Sequence, residues 1–227
     1  FVKILKVILI LGINGFSTNK SMCRRKAITA STALTTSAIS QPVKADEQPK
    51  EHSVVEPLSL HFYGAVTDES CMQLTMALSD LDIKAKHQKV IYPDLNPFIS
   101  LHIQSGGGAL MPTFFVCDTI KNLDTPVFVY IDGFAASAAS LMVVSGKKRF
   151  MTRNSAMLIH QLTGATSGKF NELKDEMTNL NFFMNKVKNI YLENTKLNSS
   201  VLDNLLSSDI WLDAETCLAY GLVDKII

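Results

Sequence analysis

From Glu56 onward, apolar and polar positions alternate between two periods. "LSLHFYG" (Leu58–Gly64) steps by two, is rich in strand-favouring residues and ends at Gly64. "DESCMQLTMALSDLD" places Met72, Leu74, Met76, Leu78 and Leu81 at near-helical spacing behind Asp68, a suitable N-cap. "IKAKHQKVIYPDLNP" (Ile83–Pro97) is polar and carries two prolines, which predicts a loop, longer than connections usually are. Phe98–Gln104 predicts a strand, and "SGGGALMPTFFVCDTIKNL" predicts a glycine turn running into a helix, with Pro112 tolerable in its first turn. "PVFVYID" (Pro126–Asp132) is an unbroken apolar run, as in a strand buried on both faces.

Beyond it, "AASAASLMVVSG" predicts a helix ending at Gly146, and "RFMTRNSAMLIHQ" two short strands around a turn. The longest helix spans Lys169–Thr195, where Phe170, Leu173, Met177, Leu180, Phe183 or Met184, Val187, and Ile190 or Tyr191 step by three and four. A helix over "SSVLDNLLSSD", a short strand "IWL", a helix "AETCLAYG" and a strand "LVDKII" close the chain. Strands and helices that alternate with short connections imply an α/β fold built on parallel crossovers. No internal repeat is present.

Composition changes this picture mainly at the N-terminus. The chain has 227 residues with 22 Lys and Arg against 21 acids. The first fifty residues hold eight of the bases and only Asp46 and Glu47 of the acids, so residues 51–227 carry 14 and 19, a net of −5. A mildly acidic body argues against a nucleic-acid partner. "VILILGI" (Val7–Ile13) follows Lys3 and Lys6 and is too short to span a bilayer, which fits a signal-type segment. The Ser-, Thr- and Ala-rich stretch behind it, with Arg24–Arg25 and a small-residue run ending at Val43-Lys44-Ala45, fits a transit peptide with a second signal. Residues 1–45 are therefore expected to be a removable presequence, 46–57 a linker and 58–227 the working domain. The expected address is a plastid, stroma or thylakoid lumen, with the mitochondrion as the alternative. Cys23, Cys71, Cys117 and Cys217 are scattered, so buried free thiols are expected rather than a disulfide framework or a metal site.

Three features carry candidate chemistry. In "LHIQSGGG" a strand ends, three glycines follow and a helix begins, a place where backbone N–H groups can face an anion or oxyanion. The spacing matches neither a dinucleotide fingerprint nor a phosphate loop. In "DGFAASAASLM", Ser137 follows a strand and opens a helix among small residues, at the carboxyl end of a strand where α/β sites lie. The N–H of Ala138, the next residue, is then a possible oxyanion donor. Ser140 is a competing nucleophile, and a small-residue helix face packed on a neighbour is the bland explanation. In "AMLIHQL", His160 follows a strand and is the one histidine placed after the serine; His52, His61, His87 and His102 precede it. A serine–histidine pair wants an acid, and Asp203, Asp209, Asp213, Glu215 and Asp224 all lie near the C-terminus.

Taken together, "SGGG…GFAASAAS…MLIHQ…SSDIWLDAETCLAYGLVDKII" resembles the proteolytic subunit of the Clp protease, the ClpP family, from about Leu58 to Ile227. The resemblance implies the ClpP/crotonase spiral of ββα units with a long handle helix, and a serine endopeptidase that degrades unfolded proteins through an acyl-enzyme. It implies Ser137 as nucleophile, His160 as base, Asp209 as acid, and the N–H groups of Gly107 and Ala138 as oxyanion donors. It implies no metal and no cofactor, with ATP consumed by a partner AAA+ unfoldase, and stacked seven-membered rings of this chain or of paralogues.

The departures are Gly106 for the family's proline, Leu162 after the glutamine, and Ser207–Ser208 where charges usually flank the acid. Three other readings compete: a non-catalytic ring subunit, an acyl-CoA enzyme of the same fold, and a serine protease with a lysine base.

Overall fold

The computed structural model describes residues 55–227, so the expected presequence and most of the expected linker lie outside the described residues. The elements run β1 (Ser59–Tyr63), α1 (Asp68–Ile91), β2 (Ile99–Ser105), α2 (Leu110–Asn122), β3 (Val127–Ala136), α3 (Ala138–Val144), β4 (Lys148–Met151) and β5 (Ala156–Leu158). They continue with α4 (Phe170–Asn194), α5 (Ser199–Leu206), β6 (Trp211–Leu212), α6 (Ala214–Ala219) and β7 (Lys225–Ile226). The strand order is β1-β2-β3-β4-β7, every pair parallel. The fold is α/β, with helices covering the sheet face that bears Ile99, Leu101, Ile103, Val127, Val129 and Ile131, all fully buried.

Two local expectations are corrected. The stretch 83–97 is not a loop, because α1 continues to Ile91. Its polar residues hold it there: Asp82 pairs with Lys86 one turn on at 2.6 Å, Gln88 Nε2 donates to Glu56 O at 2.8 Å, and Ala85 is buried. Pro93 then disfavours helix at Tyr92, which takes the C-cap with φ −125°. The N-cap is Thr67 rather than Asp68. Thr67 Oγ1 accepts from Ser70 N and Ser70 Oγ accepts from Thr67 N, a reciprocal capping box.

The sheet corrects a third expectation. β3 is buried on one face only. Its other face bears Phe128, Tyr130 and Asp132, all half-buried, and Tyr130 stands in a row of rings running His61–His102–Tyr130–Phe150 at about 4.7 Å spacing. β3 also runs four residues past Asp132. Beyond Gly133 (φ +93°) it leaves β4 and pairs with β5, matching Phe134, Ala135 and Ala136 to Ala156, Met157 and Leu158. The strand therefore delivers its chain directly to Ser137.

Asp82 joins α1 to the approach of β3. Its Oδ1 accepts from Thr125 N at 2.9 Å, and Lys86 bridges it to Asp124. Burial alone would raise its carboxyl, but the bonds from Lys86 and Thr125 outweigh that and hold it below the usual carboxylate range. Asp82→Ala leaves a buried N–H unpaired and is expected to lower stability by about 2 kcal/mol. The sign of the pH dependence follows. A carboxylate depressed in the fold stabilises above its unfolded pKa and loses that contribution as pH falls through the folded value. Urea midpoints at pH 7 and below pH 4 should therefore differ for the parent by more than for Asp82→Ala.

Candidate active site

The strand-to-helix turn at Ser137 is the most unusual backbone in the described chain. Ser137 is the only described non-glycine residue with positive φ (φ 56°, ψ −126°). Such a conformation costs about 1–3 kcal/mol and persists only where its surroundings enforce it. Here Ser137 N donates to Leu158 O at 2.9 Å, and Ser137 O accepts from Ser140 N at 3.0 Å. The hydroxyl makes no capping bond to α3, so the helix does not consume it.

The triglycine turn packs against this elbow. Gly107 has φ +86°, and a Cβ there would lie 2.6 Å from both Ala136 O and Ser137 Cβ. At Gly108 (φ +152°) a Cβ would lie 2.1 Å from Val66 O. Both positions exclude a side chain, while Gly106 faces open space. Gly107 N donates to Ser105 Oγ at 3.1 Å. Gly108 is the member of the turn that lines the site. Nothing in three consecutive glycines distinguishes them before the turn is folded.

Ser137, Ala138, Gly108 and His160 line one cavity of about 630 Å³. Leu141 on α3 and Leu180, Phe183 and Val187 on α4 form an apolar wall. His160 enters from the end of β5, where Gln161 N donates to Leu206 O at 2.8 Å and ties the segment to α5. The five candidate acids separate by their partners. Asp203 binds Lys188 at 2.7 Å, Asp213 caps α6 through Thr216 N, Glu215 lies 3.5 Å from Arg153, and Asp224 is clamped by Arg149. Asp209 alone among them faces His160, with Oδ1 at 3.4 Å from Nδ1. That distance is longer than a close hydrogen bond, and the Asp209 side chain is 80% exposed. Ser140 is fully buried with its hydroxyl engaged, which removes it as a competing nucleophile.

A family model for the Clp protease matches residues 56–227. The chain belongs to the Clp protease family. It is similar to ATP-dependent Clp protease proteolytic subunit 1 of Protochlamydia amoebophila, at 27% identity over 78% of this chain and 84% of the relative. The subunit 1 proteins of Chlamydia abortus (26% identity, 78% and 90% covered) and Rhodopirellula baltica (30% identity, 57% and 58% covered) are similar as well.

Within this Clp-family domain the thiols stand apart from the cavity. Cys71, Cys117 and Cys217 are free and buried, as expected, and Cys23 lies outside the described residues. Burial pushes Cys71 up to about 11 and Cys117 and Cys217 up to about 12, so none is a ready thiolate. No described helix is long and apolar enough to cross a membrane.

Proposed function

We propose that this Clp-family chain is a catalytically competent serine endopeptidase, the proteolytic subunit of an ATP-dependent Clp-type protease. One observation carries the reading: a strained Ser137 and His160 share a cavity, and Asp209 stands 3.4 Å from the histidine's Nδ1. In this reading His160 takes the Ser137 proton as Oγ attacks the peptide carbonyl, and Asp209 holds the imidazole tautomer. The Ala138 N–H, with a donor from the Gly106–Gly108 turn, receives the oxyanion. His160 then protonates the leaving amine, and water releases the acyl-enzyme. The reading includes no metal or cofactor; ATP is consumed by a partner AAA+ unfoldase.

The long helix supports assembly into stacked, seven-membered rings. Only Val187 and Tyr191 of α4 are buried, while Phe170 and Met177 are 80% and 60% exposed, an apolar face that a single chain leaves uncovered. The long His160–Asp209 distance favours a second reading, a scaffold subunit whose triad stays silent. Organelle targeting by residues 1–45 belongs to the same proposal, and a mature N-terminus near Asp46 would support it.

The deciding experiment treats the full chain with a fluorophosphonate and maps the adduct by mass spectrometry. Label on Ser137 that disappears in His160→Ala supports the protease. Assembled rings without label support the scaffold.

A further inference from the structure

Beside the nucleophile lies a buried chain of hydroxyls that the catalytic reading does not use, ending at Tyr191, which also borders the cavity. Ser140 Oγ donates to Ser137 O and lies 2.7 Å from Tyr191 OH. Ser140 is 0% exposed and Tyr191 2%. A serine hydroxyl has one proton. With that proton given to Ser137 O, the Tyr191 O–H must donate to Ser140 Oγ, since the reverse would bury the tyrosine proton without an acceptor. The direction is therefore Tyr191 O–H to Ser140 O–H to Ser137 C=O, and hydrogen bonds aligned in this way strengthen one another. Burial raises the Tyr191 phenol well above its ordinary range, so it stays a donor at any working pH.

The acceptor matters because of what shares its peptide plane. Ser137 C=O and Ala138 N–H belong to one planar trans unit and point in opposite directions. Whatever aims the carbonyl also aims the N–H. Ser137 O already accepts from Ser140 N, and the hydroxyl adds a second anchor on the same oxygen. At a residue with φ 56°, where relaxation would rotate this plane, that anchor opposes the rotation.

Resting on the serine-protease reading above, the geometry points to Ser140 and Tyr191 as positioning residues for the oxyanion hole: the handle helix α4, through Tyr191 and Ser140, clamps the Ser137–Ala138 peptide so that the Ala138 N–H faces the cavity. The clamp reaches 51 residues along the chain, from α3 to the last turn of α4. α4 also supplies the cavity wall through Leu180, Phe183 and Val187. A displacement of that helix is thereby transmitted to the donor as well as to the wall.

The test compares the parent, Tyr191→Phe and the double variant Ser140→Ala/Tyr191→Phe as full chains. Ser140→Ala alone would orphan a buried phenol, whereas the double variant removes both partners together. Each is assayed on a fluorogenic peptide, with kcat normalised to fluorophosphonate-titrated Ser137, and with a peptide aldehyde that mimics the tetrahedral adduct. Complete loss of one oxyanion donor costs about 10²–10³ in kcat, so a mis-aimed donor in the double variant is expected to cost roughly tenfold. KM should stay within about twofold, and aldehyde affinity should fall by the same factor as kcat. Tyr191→Phe keeps the Ser140–Ser137 bond and should lose only about threefold. A role confined to stability would lower the fraction of titratable sites without changing normalised kcat. A folded double variant with parental kcat and aldehyde affinity would overturn the clamp and leave the protease reading standing. A parent that neither cleaves peptide nor labels at Ser137 would overturn both.

Discussion

Ser137→Ala is expected to lower peptide cleavage by roughly 10⁴-fold or more while leaving the fold and assembly intact. The size follows from the chemistry. Without Oγ there is no acyl-enzyme, and what remains is binding and oxyanion stabilisation of an unassisted water attack. The neutrality towards folding follows from the structure. The hydroxyl caps no helix N–H, and serine and alanine bear the same Cβ at φ 56°, so the backbone strain is unchanged. Unfolding midpoints should then agree within about 0.5 kcal/mol. The measurement is kcat/KM on a fluorogenic peptide beside a urea titration of the same preparations. Cleavage persisting in the pure variant would refute Ser137 as nucleophile.

Gly107→Ala should be nearly as damaging by a different route. A methyl group there would stand 2.6 Å from Ser137 Cβ and from Ala136 O, both attached to rigid backbone, at a φ of +86° that alanine resists. Either the triglycine turn moves away or the Ser137 elbow does. On the protease reading, each outcome separates the nucleophile from the donor of the triglycine turn, so labelling of Ser137 is expected to slow at least 100-fold. Stability should fall by about 2 kcal/mol. Gly106→Ala is the matched control, since nothing lies within 4 Å of its added Cβ, and it should label at close to the parental rate. Equal rates for Gly107→Ala and the parent would mean that the turn does not pack on the elbow.

The asymmetry between these glycines shows where local reading stops. A run of three predicts a turn that lets backbone approach closely, and it does. Which member touches Ser137, which lines the cavity and which faces solvent depends on β1, β2 and β3 meeting at Val66, Ser105 and Ala136. The same holds for the serines. Ser137 and Ser140 sit in one small-residue run, and only the packing of α4 against α3 buries Ser140 on Tyr191. Spacing alone does not choose among the five C-terminal carboxylates. Asp209 faces His160 because β5 and β6 pair antiparallel, Leu158 opposite Trp211, which brings the residues flanking each strand together.

Elsewhere the order of information is reversed. The alternation of strand and helix, the helix over Phe170–Asn194 and the position of His160 just past a strand are determined by the sequence itself. Period, capping and turn residues act over a few positions and need no distant partner. The helical span up to Ile91, the open aromatic face of β3 and the continuation of that strand to Ala136 were decided only in the tertiary structure. Each rests on partners distant in sequence, such as Thr125 for Asp82, 43 residues away, and Ser155 for Gly133, 22 residues away. Local pattern selects which elements form. The meeting of Ser137, His160 and Asp209 is a long-range property, because each arrives on a different element and only their mutual packing sets the distances between them.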